Sequence, residues 1–109
     1  MNILFCSVGR RGELVKNFKA SLSEGDRIIA TDNSRYAPAL YLADKQYIVP
    51  RIDAPEYIST VLEICKKEQI NAVTTFIDPE IALLSTHRAE FEAIGVEVLA
   101  PDEIGRAHV

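Results

Sequence analysis

MNILFCSVGRRG, residues 1–12, decides how this chain is read. An apolar run from Ile3 to Cys6 stops at Ser7-Val8-Gly9-Arg10-Arg11-Gly12, and an amphipathic stretch begins at Glu13. That order is a strand, a tight glycine turn and a helix. Such a turn lies at the carboxyl edge of a parallel sheet, where open α/β folds keep their ligands. The two arginines in it suit an anionic ligand or an acidic partner surface. The alternative is that one is solvated and the other pairs with an acid such as Asp32 or Asp78.

Working outward, short apolar runs alternate with helical periods. Leu14, Val15, Phe18 and Leu22 share one helix face, and Gly25 suits the residue just past that helix. Arg27 to Thr31 reads as the second strand, closed by Asp32-Asn33-Ser34. Residues 35–44, with Pro38, suit a short helix or helical turn. Tyr47-Ile48-Val49 is the third strand, stopped by Pro50. Asp53 with Glu56 three residues on, and a proline between, has the spacing of a helix N-terminus. The helix that follows carries Ile58, Val61, Leu62 and Cys65 on one face. Residues 72–77 form the fourth strand. Asp78 as N-cap and Pro79 open a further helix with Ile81, Leu84, Phe91 and Ile94 inward, ended by Gly95. Residues 96–99 are a fifth strand, stopped by Pro101.

Strands alternating with helices predict a Rossmann-like three-layer α/β sandwich: a five-stranded parallel sheet, order 3-2-1-4-5, with helices on both faces. A length of 109 residues allows one domain. With 48% hydrophobic residues the chain can form a core without covalent staples. Net charge −4 argues against a nucleic-acid surface. Cys6 and Cys65 read as small buried hydrophobes. No signal peptide or membrane-length apolar stretch occurs, which predicts a soluble cytoplasmic protein with no membrane partner.

The candidate binding residues are Gly9, Arg10, Arg11, Asp32 and Asp78. Against G-x-G-x-x-G, Ser7 replaces the first glycine while Gly9 and Gly12 fit the others, and no P-loop lysine follows. Asp32 ends the second strand, where dinucleotide folds place an acid on ribose hydroxyls; the competing reading is an Asx turn with Asn33 and Ser34. Asp78 leaves the fourth strand beside the switch point, with helix capping as its plain role. Glu80 favours the helix N-terminus electrostatically, and His87 reads as a solvated mid-helix residue. No nucleophile–base set, metal cluster or catalytic carboxylate pair emerges, so no catalytic or metal residue is assigned.

The C-terminus reads differently. Ile104 to Val109 is what the nucleotides ATC GGA AGA GCA CAC GTC encode, part of a common sequencing adapter, and the Glu103 codon fits the bases before it. Residues 103–109 are therefore expected to be a non-native tail on a domain of residues 1–102. The alternative is a native end.

Four blocks together resemble a known group: MNILFCSVGRRGELVKNF at the start; Asp32-Asn-Ser34 with Ala37-Pro-Ala-Leu-Tyr41 and Ala43-Asp44; Tyr47-Ile-Val-Pro-Arg51; and Ile77-Asp-Pro-Glu80. They resemble the pre-ATP-grasp domain of carbamoyl-phosphate-synthase-like ATP-grasp proteins, and are similar to the first domain of the pyrrolysine-biosynthesis ligase. The resemblance implies the N-terminal, substrate-side domain of a ligase. Such a ligase activates a carboxylate as an acyl phosphate with ATP and magnesium and couples it to an amine or similar nucleophile. ATP and magnesium would bind in the parent protein's ATP-grasp domain, missing here; this chain would need no cofactor and be inactive alone. Its partners would be a small-molecule substrate and that domain. Gly9, Arg10, Arg11 and Asp78 would line the cleft, with Asp32 on the same edge. One alternative is a stand-alone nucleotide- or dinucleotide-binding Rossmann module. A receiver-like module is disfavoured, because Ser7-Val8 and Pro50-Arg51 stand where its acids belong.

Overall fold

A computed structural model describes residues 1–100 and Glu103; the tail expectation for residues 103–109 lies, apart from Glu103, outside the described residues. The chain runs β1 (Asn2–Cys6), α1 (Gly12–Ser21), β2 (Arg27–Asp32), a 3-10 helix (Pro38–Leu42), β3 (Lys45–Ile48), α2 (Tyr57–Glu68), β4 (Ala72–Thr75), α3 (Asp78–Thr86), α4 (Arg88–Glu92) and β5 (Glu97–Val98). The five strands form one parallel sheet in the order β3-β2-β1-β4-β5. That is the expected order, with β1 at its centre.

Alternation along the strands divides the core. Ile3, Phe5, Ile28 and Ala30 point to one face, where Val15 of α1 and Ala39 and Leu40 of the 3-10 helix cover them. Leu4, Cys6, Ile29 and Val73 point to the other, under Val61 and Cys65 of α2, Leu84 of α3 and Phe91 of α4. A full helix does not form between β2 and β3, but the 3-10 turn closes that layer. Its Ala39 N–H bonds to the Gly9 carbonyl at 3.1 Å.

Several local boundaries differ from the sequence reading. Leu14 is 39% exposed, so α1 buries a narrower stripe than its apolar residues suggest. Gly25 does not end α1; the helix stops at Ser21, and Gly25, at φ +92°, serves the turn into β2. Asp53 does not cap α2. The helix starts at Tyr57 after Glu56, and Asp53 sits 3.6 Å from Arg51 instead. Asp78 is the first residue of α3 and makes no capping hydrogen bond. The helix expected over residues 78–94 is two helices, broken at His87, which therefore lies at a junction, 3.2 Å from Glu90. The break coincides with a bond from Arg88 Nη1 to the Val98 carbonyl of β5 at 2.9 Å. Gly95 does end this segment: the Val96 N–H reaches the Phe91 carbonyl and the Gly95 N–H reaches the Glu92 carbonyl, the two bonds of a Schellman motif.

At the amino edge of the sheet, Glu68 at the end of α2 is 5% exposed and receives Lys45 (2.8 Å), Arg27 (2.9 Å) and the Tyr47 hydroxyl. The hydrogen bond from Lys45, then that from Tyr47, holds the Glu68 carboxyl down at about 2, below its usual 4.5. The folded value lies below the unfolded one, so this stabilisation is complete above the unfolded value and disappears as pH falls through the folded one. Arg27 and Lys45 are nearly half exposed, which limits the contribution to about 2 kcal/mol. Urea unfolding should show that loss between about pH 5 and pH 2. In Glu68→Gln the acid-dependent loss should shrink by that amount. An unchanged acid slope in the variant would contradict the assignment.

Candidate functional site

The carboxyl edge of the sheet, opposite the Glu68 cluster, carries a cavity of about 590 Å³. The exits of β1, β2 and β3 build most of it, and Ile77 after β4 completes the lining. After Cys6 the chain enters a left-handed bend at Ser7 (φ +54°) and again at Gly9 (φ +51°). Ser7 thus adopts the conformation for which glycine would be the cheaper residue. The Val8 N–H bonds to the Thr31 carbonyl at 3.2 Å, and the Arg11 N–H returns to the Val8 carbonyl at 2.9 Å, closing the turn before α1.

The β2 exit is tied to this turn through Asp32. One carboxylate oxygen, Oδ2, accepts the Gly9 N–H at 2.8 Å; the other, Oδ1, accepts the Ser34 N–H at 3.0 Å. The Asx-turn reading of Asp32 therefore holds, with a bridge to the glycine turn that the sequence did not indicate. The Val49 N–H bonds to the Asp32 carbonyl at 3.0 Å and brings in the β3 exit. Segment 49–53 then forms a wall of the cavity, with Arg51 and Asp53 both about three-quarters exposed. An exposed pair at 3.6 Å adds little stability, so both groups are open to a ligand.

Of the residues singled out from the sequence, Gly9, Arg11 and Asp32 line the cavity. Arg10 is exposed on the same turn but is not among the lining residues. Asp78 is exposed in the first turn of α3, one residue beyond the lining residue Ile77. Among the described residues neither the Arg10 nor the Arg11 guanidinium has a hydrogen-bond or ion-pair partner, so pairing with Asp32 or Asp78 is not what the fold does. Asn33, Arg51 and Asp53 were missed. The signal for them was present: in a 3-2-1-4-5 sheet the third strand exits at the same edge as the first.

Beneath the cavity lies a polar layer. Cys6 of β1 and Thr75 of β4 are register partners, and Thr31 of β2 is next to them; all three are fully buried. Over them the Tyr57 hydroxyl donates to Glu80 Oε2, and Glu80 is itself completely buried. Glu80 stands in the first turn of α3, as the sequence reading placed it, but its burial in the core was not read from the sequence. Glu80 Oε1 and Thr31 Oγ1 have no hydrogen-bond partner among the described residues. Burial, then the Glu80 carboxylate, pushes the Cys6 thiol well above its usual value. Burial, then Cys6 and Glu80, likewise raises the Tyr57 hydroxyl. Cys65 is pushed up to about 12 by burial. Both cysteines are free, buried and held in the unreactive thiol form. Among the described residues no group of three His, Cys, Asp or Glu could hold a metal ion, and no helix is long and apolar enough to cross a membrane.

With this geometry in view, comparison with known proteins adds two findings. Residues 3–99 match the family described as "PylC-like, N-terminal domain". Thirteen solved chains match the structure. One is described as glycinamide-RNase-transformylase T from Mycobacterium tuberculosis, similar with a TM-score of 0.64 and 20% identity over 90% of this chain. At that identity the likeness shows a shared fold, and the match spans 28% of the solved chain's length. No curated protein matches the sequence.

Proposed function

This chain belongs to the PylC-like N-terminal domain family, and from that premise we propose that it forms the substrate-side wall of the active-site cleft in an ATP-grasp ligase. The parent enzyme activates a carboxylate with ATP as an acyl phosphate and couples it to an amine or similar nucleophile. The observation that carries this reading is the cavity of about 590 Å³ at the carboxyl edge, lined by the unpaired Arg11 guanidinium and by Arg51. Such guanidinium groups suit an anionic substrate group through paired N–H donors. Gly9 shapes the turn beneath Arg11 and Asp32 fastens it, while Arg10 and Asp78 extend the polar rim toward the rest of the parent protein.

The described residues do not fit ATP-magnesium themselves, since they include no metal-ligand cluster and the Gly9 N–H is already engaged by Asp32. ATP and magnesium are assigned to the ATP-grasp domain of the parent, and the whole is assigned to the cytoplasm. The chain alone is accordingly inactive, with a small-molecule substrate and that domain as its partners.

The test uses the parent protein, obtained by reading the source locus beyond the codon for Asp102, with hydroxylamine to trap the acyl phosphate. Arg11→Ala and Arg51→Ala should each raise the KM of the substrate bound in this cavity about tenfold or more, the loss of one charge-assisted hydrogen bond, and leave ATP binding unchanged. Substrate-dependent ATP turnover by the 109-residue chain alone, or unchanged KM in both variants, would overturn the proposal.

A further inference from the structure

The left-handed bends at Ser7 and Gly9 turn the Gly9 N–H toward the carboxyl edge of the sheet, just before the N-terminus of α1. In this fold the backbone N–H groups of the glycine turn, together with those of the helix start, take an anionic ligand. Here the Gly9 N–H is not available. Asp32 Oδ2 accepts it at 2.8 Å, and Oδ1 is held by the Ser34 N–H at 3.0 Å. The Asp32 side chain is 8% exposed and its backbone carbonyl is tied to Val49, so its position is fixed from both ends.

We propose that Asp32 is a specificity-determining residue: its carboxylate is a built-in occupant of the glycine turn's anion position and closes that position to phosphate-bearing ligands. A phosphate taking the Gly9 N–H would have to expel Oδ2 or sit against it. The first course leaves a poorly solvated carboxylate without its donor, and the second places two anions in contact. An anionic ligand of this cavity is met instead by the Arg11 and Arg51 side chains across the opening. This selects against a ligand that needs the Gly9 N–H as part of a backbone phosphate cradle. The inference rests on the turn geometry and stands whether or not the parent is a ligase.

The test is a titration of the 109-residue chain with inorganic pyrophosphate, read at the backbone amide of Gly9 by NMR and by calorimetry. In the unaltered protein the Gly9 amide should not move. Asp32→Ser is the informative variant, because a serine hydroxyl can still accept the Ser34 N–H in a turn of the same kind but is too short to reach Gly9. It should move the Gly9 amide and tighten pyrophosphate at least about tenfold. Asp53→Ser removes the same charge from the opposite wall and separates general charge removal from release of the turn; it should leave the Gly9 amide unmoved. Asp32→Ala, which has no acceptor to offer Gly9, replaces Asp32→Ser if the latter does not fold, with the same expected gain. The proposal is overturned if pyrophosphate binds the unaltered protein as tightly as the Asp32 variant, at Gly9 or at the first amides of α1. It is equally overturned if the folded Asp32 variant gains nothing, or if Asp53→Ser gains as much.

Discussion

Phe5→Ala should lower the unfolding free energy by about 4 kcal/mol and the melting temperature by about 20 °C. Phe5 sits in β1, the central strand, and is fully buried. Its ring meets Phe18 of α1 at 4.9 Å and Phe76, after β4, at 5.5 Å between centroids, while Phe18 and Phe76 are 5.9 Å apart. These separations suit favourable tilted and offset ring pairs. Removing the ring opens a void in the layer between α1 and the sheet and strips α1 of its main anchor, since Val15 is the only buried residue of that helix. Phe5→Leu, which keeps most of the volume, should cost about 1 kcal/mol. Urea unfolding of the two variants checks this. A loss below about 1.5 kcal/mol for Phe5→Ala would mean that α1 collapses onto β1 and fills the space.

Tyr57→Phe should cost about 3 kcal/mol, far more than one surface hydroxyl. Glu80 is completely buried, and the Tyr57 hydroxyl is the donor to its Oε2; Oε1 already lacks a partner among the described residues. Without Tyr57 the whole carboxyl group is left in the core with nothing to bond. Removing both polar groups should be milder than removing one. Tyr57→Phe with Glu80→Leu is expected to be more stable than Tyr57→Phe alone by at least about 1 kcal/mol. The measurement is a double-mutant cycle in urea. Single-variant losses that simply add would show that the two side chains do not act as a pair.

The two effects illustrate different degrees of legibility. Phe5 was placed in a strand by its apolar neighbours Ile3, Leu4 and Cys6, and a central apolar strand is buried on both faces. Glu80 was placed correctly at the start of α3, but its burial was not foreseen. Charge and position in a helix suggest a solvated end, whereas Glu80 points inward because Tyr57, 23 residues earlier, waits there. The end of α1, the start of α2 and the break at His87 were misread for a related reason: each is set by how the chain packs past the helix, and propensity is a weak guide there.

The sequence by itself determined the parallel sheet, its order 3-2-1-4-5, the glycine turn and the burial of both cysteines. These follow from runs of apolar residues, their spacing and the handedness of crossovers, all of which are local or nearly so. Only the tertiary structure decided that Asp32 bonds to Gly9, that Arg51 and Asp53 line the same cavity as Arg11, and that Tyr57 meets Glu80. Each of those pairings joins residues from different strand exits or from helices on either side of β4. Their meeting depends on strand register and on the lengths of the connections, which no single stretch of the chain encodes.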